Sequence, residues 1–230
     1  MIGIIGAMDI EVESLKRLLK DVRKEKISNI EFFLGKIGET ETVIAKCGVG
    51  KVFAAICAQT MILHFKPDVI VNIGVAGGLS DNLNIGDIVI ADSVAQHDMD
   101  TTALGDARGF LTEIELVKIP ADRNILAVLE DSCRYAGINY EVGTIASGDQ
   151  FVSSEDKKQF IKDTFSAKAC EMEGAAIGQV CFVNKVPFGV LRAISDGANG
   201  GANFDFAEFT AMAAENSAKV IERFVYTLKR

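Results

Sequence analysis

Five short apolar runs, IGIIG (2–6), DVIVNI (68–73), DIVIADSVAQ (87–96), YEVGTIAS (140–147) and VPFGVLRAIS (186–195), are separated along the chain by stretches with helical character. Runs this continuous leave no solvated face, and strands buried on both faces belong to parallel or mixed sheets with helices on either side. The pattern predicts an α/β fold of three layers, a central mixed sheet flanked by helices. The helices are expected from Asp9 to about Lys20, over 51–65 up to the stop at Pro67, over Ala121–Ala136, from about Glu173 to Asn184, and from Asp205 to about Lys229. The last carries Asp205 and Glu208 at capping-box spacing. IEFFLGKI (30–37) and ETVIAKC (41–47), with Gly38 and Glu39 between them, read as a hairpin. No repeat, low-complexity tract or linker interrupts the 230 residues, and 49% hydrophobic content fills a sizeable core, so residues 1–230 are expected to form one domain.

The net charge of −8 disfavours a nucleic-acid partner, which calls for clustered Lys and Arg, and favours a small-molecule ligand. The N-terminal MIGIIGAMDIEVE lacks a basic segment and turns acidic at Asp9, so no signal peptide is expected. No apolar run reaches the ~18 residues of a membrane span, and no membrane partner is expected. Five cysteines without CxxC spacing read as reduced thiols in a cytoplasmic protein. Two histidines, His64 and His97, are little raw material for a zinc site or a Ser/His/Asp triad.

Two glycine-rich stretches fail as phosphate motifs: Gly3-Ile4-Ile5-Gly6 lacks the full GxGxxG, and Gly48-Val49-Gly50-Lys51-Val52 lacks the first glycine and the Ser/Thr of a P-loop. Gly74-Val75-Ala76-Gly77-Gly78, after a buried strand, is either a backbone approach to a ligand or a tight strand exit. His97-Asp98-Met99-Asp100 reads as a solvated turn rather than a metal site. Acidic residues at strand ends say more. Glu11 lies one turn into the first helix, Glu173 opens a helix after a strand, and Asp196 follows VLRAIS directly. In wound α/β sheets the carboxyl ends of strands form the ligand-binding edge, so the three can share a pocket; each alone is also a helix-start carboxylate favoured by the macrodipole. Arg192, four residues before Asp196, falls on the same side of a regular strand and is either a structural ion pair or a ligand clamp. Glu171 has no assignable role beyond pairing with a nearby backbone group or cation.

Taken in order, GAMDIEVESL, CGVGKVFAA, NIGVAGGL, SGDQF, ACEMEGAAI and LRAISDGA resemble the nucleoside phosphorylase and hydrolase superfamily over nearly the whole chain. The resemblance is closest to its bacterial nucleosidases of 5′-thio-substituted adenosines. It implies hydrolysis of the N-glycosidic bond of 5′-methylthioadenosine and S-adenosylhomocysteine without metal or cofactor. By resemblance Glu11 is the general base for the attacking water, with Arg192 helping to hold that water. Asp196 protonates N7 of the leaving purine, which requires a desolvated carboxyl, or binds N7 and N6 while a water brings the proton. Glu173 accepts the ribose 2′ and 3′ hydroxyls and Met172 lies against the sugar. Phe151 packs on the base, the Val152 backbone reads the adenine edge, Phe206 and Met8 wall the 5′ end, and Val49, Val75 and Ser195 complete the binding set.

A phosphorylase needs cations where phosphate sits, whereas MDIEVES presents a carboxylate and no arginine before Arg17, which favours water. Two departures bear on specificity. Val75 stands where these nucleosidases commonly carry serine. Leu104 and Asp106 in TTALGDARGFLTE (101–113) replace aromatics of a loop that, in relatives, crosses a homodimer interface to cover the partner's 5′ pocket. A homodimer is expected through the family alone. The alternatives are a purine nucleoside phosphorylase, a futalosine-type hydrolase, and a nucleoside-binding protein without catalysis.

Overall fold

The computed structural model describes residues 1–196 and 206–228, with the side chains of 206–208 outside the description. Its strands are β1 (Ile2–Gly6), β2 (Lys20–Ile27), β3 (Ile30–Ile37), β4 (Thr40–Lys46), β5 (Val69–Gly78), β6 (Ile88–Gln96), β7 (Lys118–Pro120), β8 (Tyr140–Ser147), β9 (Ala167–Glu171) and β10 (Phe188–Asp196). The helices are α1 (Asp9–Leu18), α2 (Lys51–Phe65), α3 (Arg123–Ala136), α4 (Glu155–Phe165), α5 (Gly174–Asn184) and α6 (Phe206–Thr227). This is the mixed α/β architecture expected from the alternating apolar runs.

All ten strands join one sheet. β1 pairs in parallel with β4 and β5, and the β4–β3–β2 meander extends that side antiparallel. On the other side β5, β10, β6, β8 and β9 close on themselves, because β10 pairs with both β5 and β6 while β9 pairs with both β8 and β5. Burial on both faces, under helices on either side of the sheet, explains why these strands read as apolar runs. One core layer lies between the sheet and α2 and α5, around Phe32, Met61 and Ile177. The other lies beneath α1, α3 and α6, around Leu15, Leu129 and Phe224. Each such side chain taken from water contributes roughly 1.5–3 kcal/mol.

Three elements went unread in the sequence. KDVRKEKI forms β2, which is exposed almost throughout and so carries charge instead of the apolar alternation that marks a strand. SSEDKKQFIKDTF holds α4, with Ser154 as its N-cap and only Lys158, Ile161 and Phe165 buried. β7 is three residues long. The first helix ends at Leu18, short of Lys20, because the chain turns at once into β2. Asp205, half of the expected capping box, lies outside the described residues. His97 is fully buried against Gly148, which corrects the expectation of a solvated turn.

Candidate active site

The chain's carboxyl-side strand exits supply the site. β1 ends in Gly6, and the chain enters α1 through Met8, whose extended backbone makes it the N-cap. The Glu11 side chain folds back so that Oε2 accepts the N–H groups of Ala7 (2.7 Å) and Met8 (2.9 Å), while Oε1 accepts the N–H of Val75 (3.1 Å) at the end of β5. This satisfies orphan donors of the helix start and fixes the carboxylate at only 3% exposure. Burial raises its pKa above the ordinary carboxylate value; the Arg192 charge and the three N–H donors oppose that rise. A carboxylate held in place yet made more basic suits proton abstraction. Gly74 is required beside it, since a Cβ there would lie 2.6 Å from Glu11 Oε1.

Asp196 is aimed by an irregularity. Along β10 the pairing runs Ile194 to Ala76 and then Asp196 to Gly77, so Ser195 is an inserted residue on that strand. The bulge breaks the two-residue alternation that would have put Arg192 and Asp196 on one side, and bulges re-aim side chains in this way beside functional sites. Arg192 instead turns to Glu171 and to Asn72 Oδ1 (2.6 Å), with no ion pair to Asp196 among the described residues. Asp196 stays half-buried, takes a hydrogen bond from Ser195 Oγ (3.2 Å), and has the bare backbone of Gly77 alongside.

Glu173 is the N-cap of α5 and is 6% exposed. Its Oε1 accepts the N–H of Gly50 (2.8 Å), which sits at φ 101°, a conformation open to glycine. Burial first, and the neighbouring Glu171 charge second, push its pKa up to about 7 against the pull of Arg192 and the Gly50 N–H.

A cavity of about 260 Å³ brings these groups together. Of the twelve residues expected at the site, Met8, Glu11, Val49, Val75, Phe151, Val152, Met172, Glu173, Ser195 and Asp196 line it. Arg192 does not; it is 1% exposed behind the wall. The Phe206 side chain lies outside the described residues. Cys170 and Gln150 line the cavity without having been anticipated. Glu171 also lines it, and its hydrogen bonds are to Arg192, Ser147 and the backbone of residues 173 and 174. No lysine or arginine is among the described lining residues.

Comparison with known proteins identifies the family. The family model described as the phosphorylase superfamily matches residues 1–226. A Staphylococcus haemolyticus 5′-methylthioadenosine/S-adenosylhomocysteine nucleosidase is 40% identical over 229 residues, covering 99% of this chain and 100% of that protein. The crystal structure of the Neisseria meningitidis enzyme of the same name, in complex with methylthio-immucillin-A, superposes with a TM-score of 0.94 at 36% identity, covering 99% of both chains. The native structure of a Helicobacter pylori futalosine hydrolase also gives 0.94 at 36% identity, over 99% of this chain and 97% of that one.

Proposed function

Since the chain belongs to the phosphorylase superfamily, we infer that it is an N-ribosyl hydrolase cleaving 5′-methylthioadenosine and S-adenosylhomocysteine to adenine and the 5′-thio-substituted ribose. The observation that carries hydrolysis over phosphorolysis is the lining of the cavity: Glu11, Glu173 and Asp196 face one space, with no lysine or arginine among the described lining residues to hold a phosphate. Water is the nucleophile such a pocket tolerates.

In this reading Asp196 gives a proton to N7 as the bond from C1′ to N9 breaks, and the sugar takes on oxocarbenium character. A water on the opposite face loses a proton to Glu11 while its oxygen bonds C1′. The proton taken by Glu11 then returns to Asp196 through solvent, which closes the cycle. Glu173 receives the ribose hydroxyls, its position fixed by the Gly50 N–H, and Met172 packs on the sugar. Phe151 covers the base and the Val152 backbone reads its edge. Met8, Val49, Val75 and Ser195 shape the wall, and Phe206 is assigned to the 5′ end. Arg192, behind the wall, bears on the attacking water through the charge it sets near Glu11.

The whole chain acts as one domain in this reading, and as a homodimer. α2 is largely apolar, yet Val52 (67% exposed), Phe53 and Ile56 on it stand uncovered, as does Val183 on α5. A second copy covers that face, and a monomeric mass in sedimentation removes the dimer. Five unpaired cysteines suit the reducing cytoplasm.

The test is product formation from methylthioadenosine, S-adenosylhomocysteine, adenosine, inosine and futalosine, each with and without phosphate. Adenine released from the first two without phosphate is expected. Release that requires phosphate makes the chain a phosphorylase, and cleavage of futalosine alone makes it a futalosine hydrolase.

A further inference from the structure

Glu171 is the buried carboxylate that the reaction leaves unused. It is the last residue of β9, its side chain is 3% exposed, and its hydrogen bonds go in three directions. Ser147 Oγ donates to Oε1, and that same hydroxyl accepts the N–H of Ala175 (2.7 Å). The N–H groups of Glu173 (3.0 Å) and Gly174 (2.8 Å) donate to Oε2, so Glu171 and Ser147 satisfy the first donors of α5. Arg192 presents its Nε (3.1 Å) and Nη2 edge to Oε2 of the same carboxylate. The other guanidinium hydrogen bonds go to Asn72 Oδ1 (2.6 Å) and the Leu191 carbonyl (3.1 Å), and Asn72 is itself anchored by donating to the Ile5 carbonyl (2.8 Å).

The geometry matters because of what lies next to it. Arg192 Nη2 is 3.9 Å from Glu173 Oε2, close enough that a small swing would join them. Oε1 of Glu173 is taken by Gly50, so Oε2 is the oxygen still open to a ligand. An arginine left without its partner would occupy that oxygen, since an uncompensated buried charge is among the costliest arrangements in a protein.

We propose that Glu171 is a positioning residue for the sugar subsite: it holds Arg192 by the Nε–Nη2 edge and the Glu173–Gly174 backbone by its N–H groups, which keeps Glu173 Oε2 free for a ribose hydroxyl. The role rests on the nucleoside reading above and extends it to a residue that reading does not use. The pair of carboxylates in EMEG is thus divided in labour, with Glu171 addressing the protein and Glu173 the ligand. The charged groups around Glu173 act in opposite senses. Glu171 from β9 and Glu11 from α1 raise its pKa, Arg192 from β10 lowers it, and the buried Cys47 thiol after β4 is held protonated by desolvation.

The experiment is Glu171→Gln, which keeps the side chain's size and removes its charge, assayed for adenine release from methylthioadenosine across pH. The variant is expected to lose about 10- to 100-fold in kcat/KM, the scale of a displaced site group. Its acidic limb is expected to move to lower pH, because Glu173 loses a negative neighbour and gains Arg192. A purely structural fault would lower the rate at every pH and leave the limb in place, which overturns the proposal. Ser147→Ala, which removes one donor to Glu171 and keeps both charges, is the companion should Glu171→Gln not fold. It is expected to raise KM about three- to tenfold with a smaller change in kcat, and an unchanged KM overturns the proposal as well. Parent protein that releases no adenine overturns the functional reading and this role with it. Normal parent turnover beside an unaltered Glu171→Gln variant overturns the role alone.

Discussion

Replacing Glu11 by glutamine separates two things the carboxylate does, and the structure gives a size for each. The carboxylate accepts three backbone N–H groups, two on Oε2 from Ala7 and Met8 and one on Oε1 from Val75. A glutamine has one acceptor oxygen. If that oxygen takes the Ala7 and Met8 donors, its amide N–H₂ faces the Val75 N–H, and two donors oppose each other in a buried site. One unsatisfied buried group costs about 1–3 kcal/mol, which for a chain of this length lowers the melting temperature by roughly 2–4 °C per kcal/mol. Release from burying a charge, the cause of the raised Glu11 pKa, offsets part of that loss. The chemical loss is larger: deleting a general base typically removes about 10²- to 10⁴-fold in rate. The variant should therefore fold, bind methylthioadenosine with near-parent affinity in calorimetry, and release adenine at least a hundredfold more slowly by chromatographic assay. Turnover within about tenfold of the parent would remove Glu11 from the mechanism, however well the pocket is built.

Asp196→Asn is expected to bind adenosine-type nucleosides and lose about 10²-fold or more in turnover; activity within tenfold of the parent argues against proton donation by this residue. His97 gives a stability test. Burial, its main perturbation, lowers its pKa below the ordinary imidazole value of about 6.5, and neither ring nitrogen has a partner among the described residues. Below pH 6.5 the unfolded chain takes up a proton that the native imidazole refuses, so stability falls with pH until the lowered native value is reached. The slope is at most about 1.4 kcal/mol per pH unit for this one group. Urea unfolding of the parent and of His97→Leu between about pH 7.5 and 5.5 measures it, and equal pH dependence in the two proteins refutes the assignment.

How much of this was legible in the sequence follows from where burial is two-sided. The strands buried on both faces show themselves as apolar runs, and the hairpin of β3 and β4 is marked by Gly38. β2 was silent because an exposed strand has no reason to alternate. Glu11, Glu173 and Asp196 could be placed at strand exits by spacing, and ten of the twelve expected residues line one cavity. That Asp196 parts company with Arg192 could not be read, because it depends on a one-residue bulge at Ser195 that spacing does not announce. Glu171 was legible only as a carboxylate paired with a backbone group or cation: its side-chain partners Ser147 and Arg192 come from two other strands, β8 and β10, and only the closed sheet makes them neighbours.

The ring formed by β5, β10, β6, β8 and β9 has a bearing on how these molecules tolerate crowding. A sheet that bites its own tail offers no strand for a neighbour to zip onto, so the long open rim falls to β2. There Lys20, Asp21, Arg23, Lys24, Glu25 and Lys26 stand in solvent, mostly cationic, and repel a second rim of the same kind. Polymerisation by strand exchange is thereby discouraged at the place where the architecture would otherwise invite it.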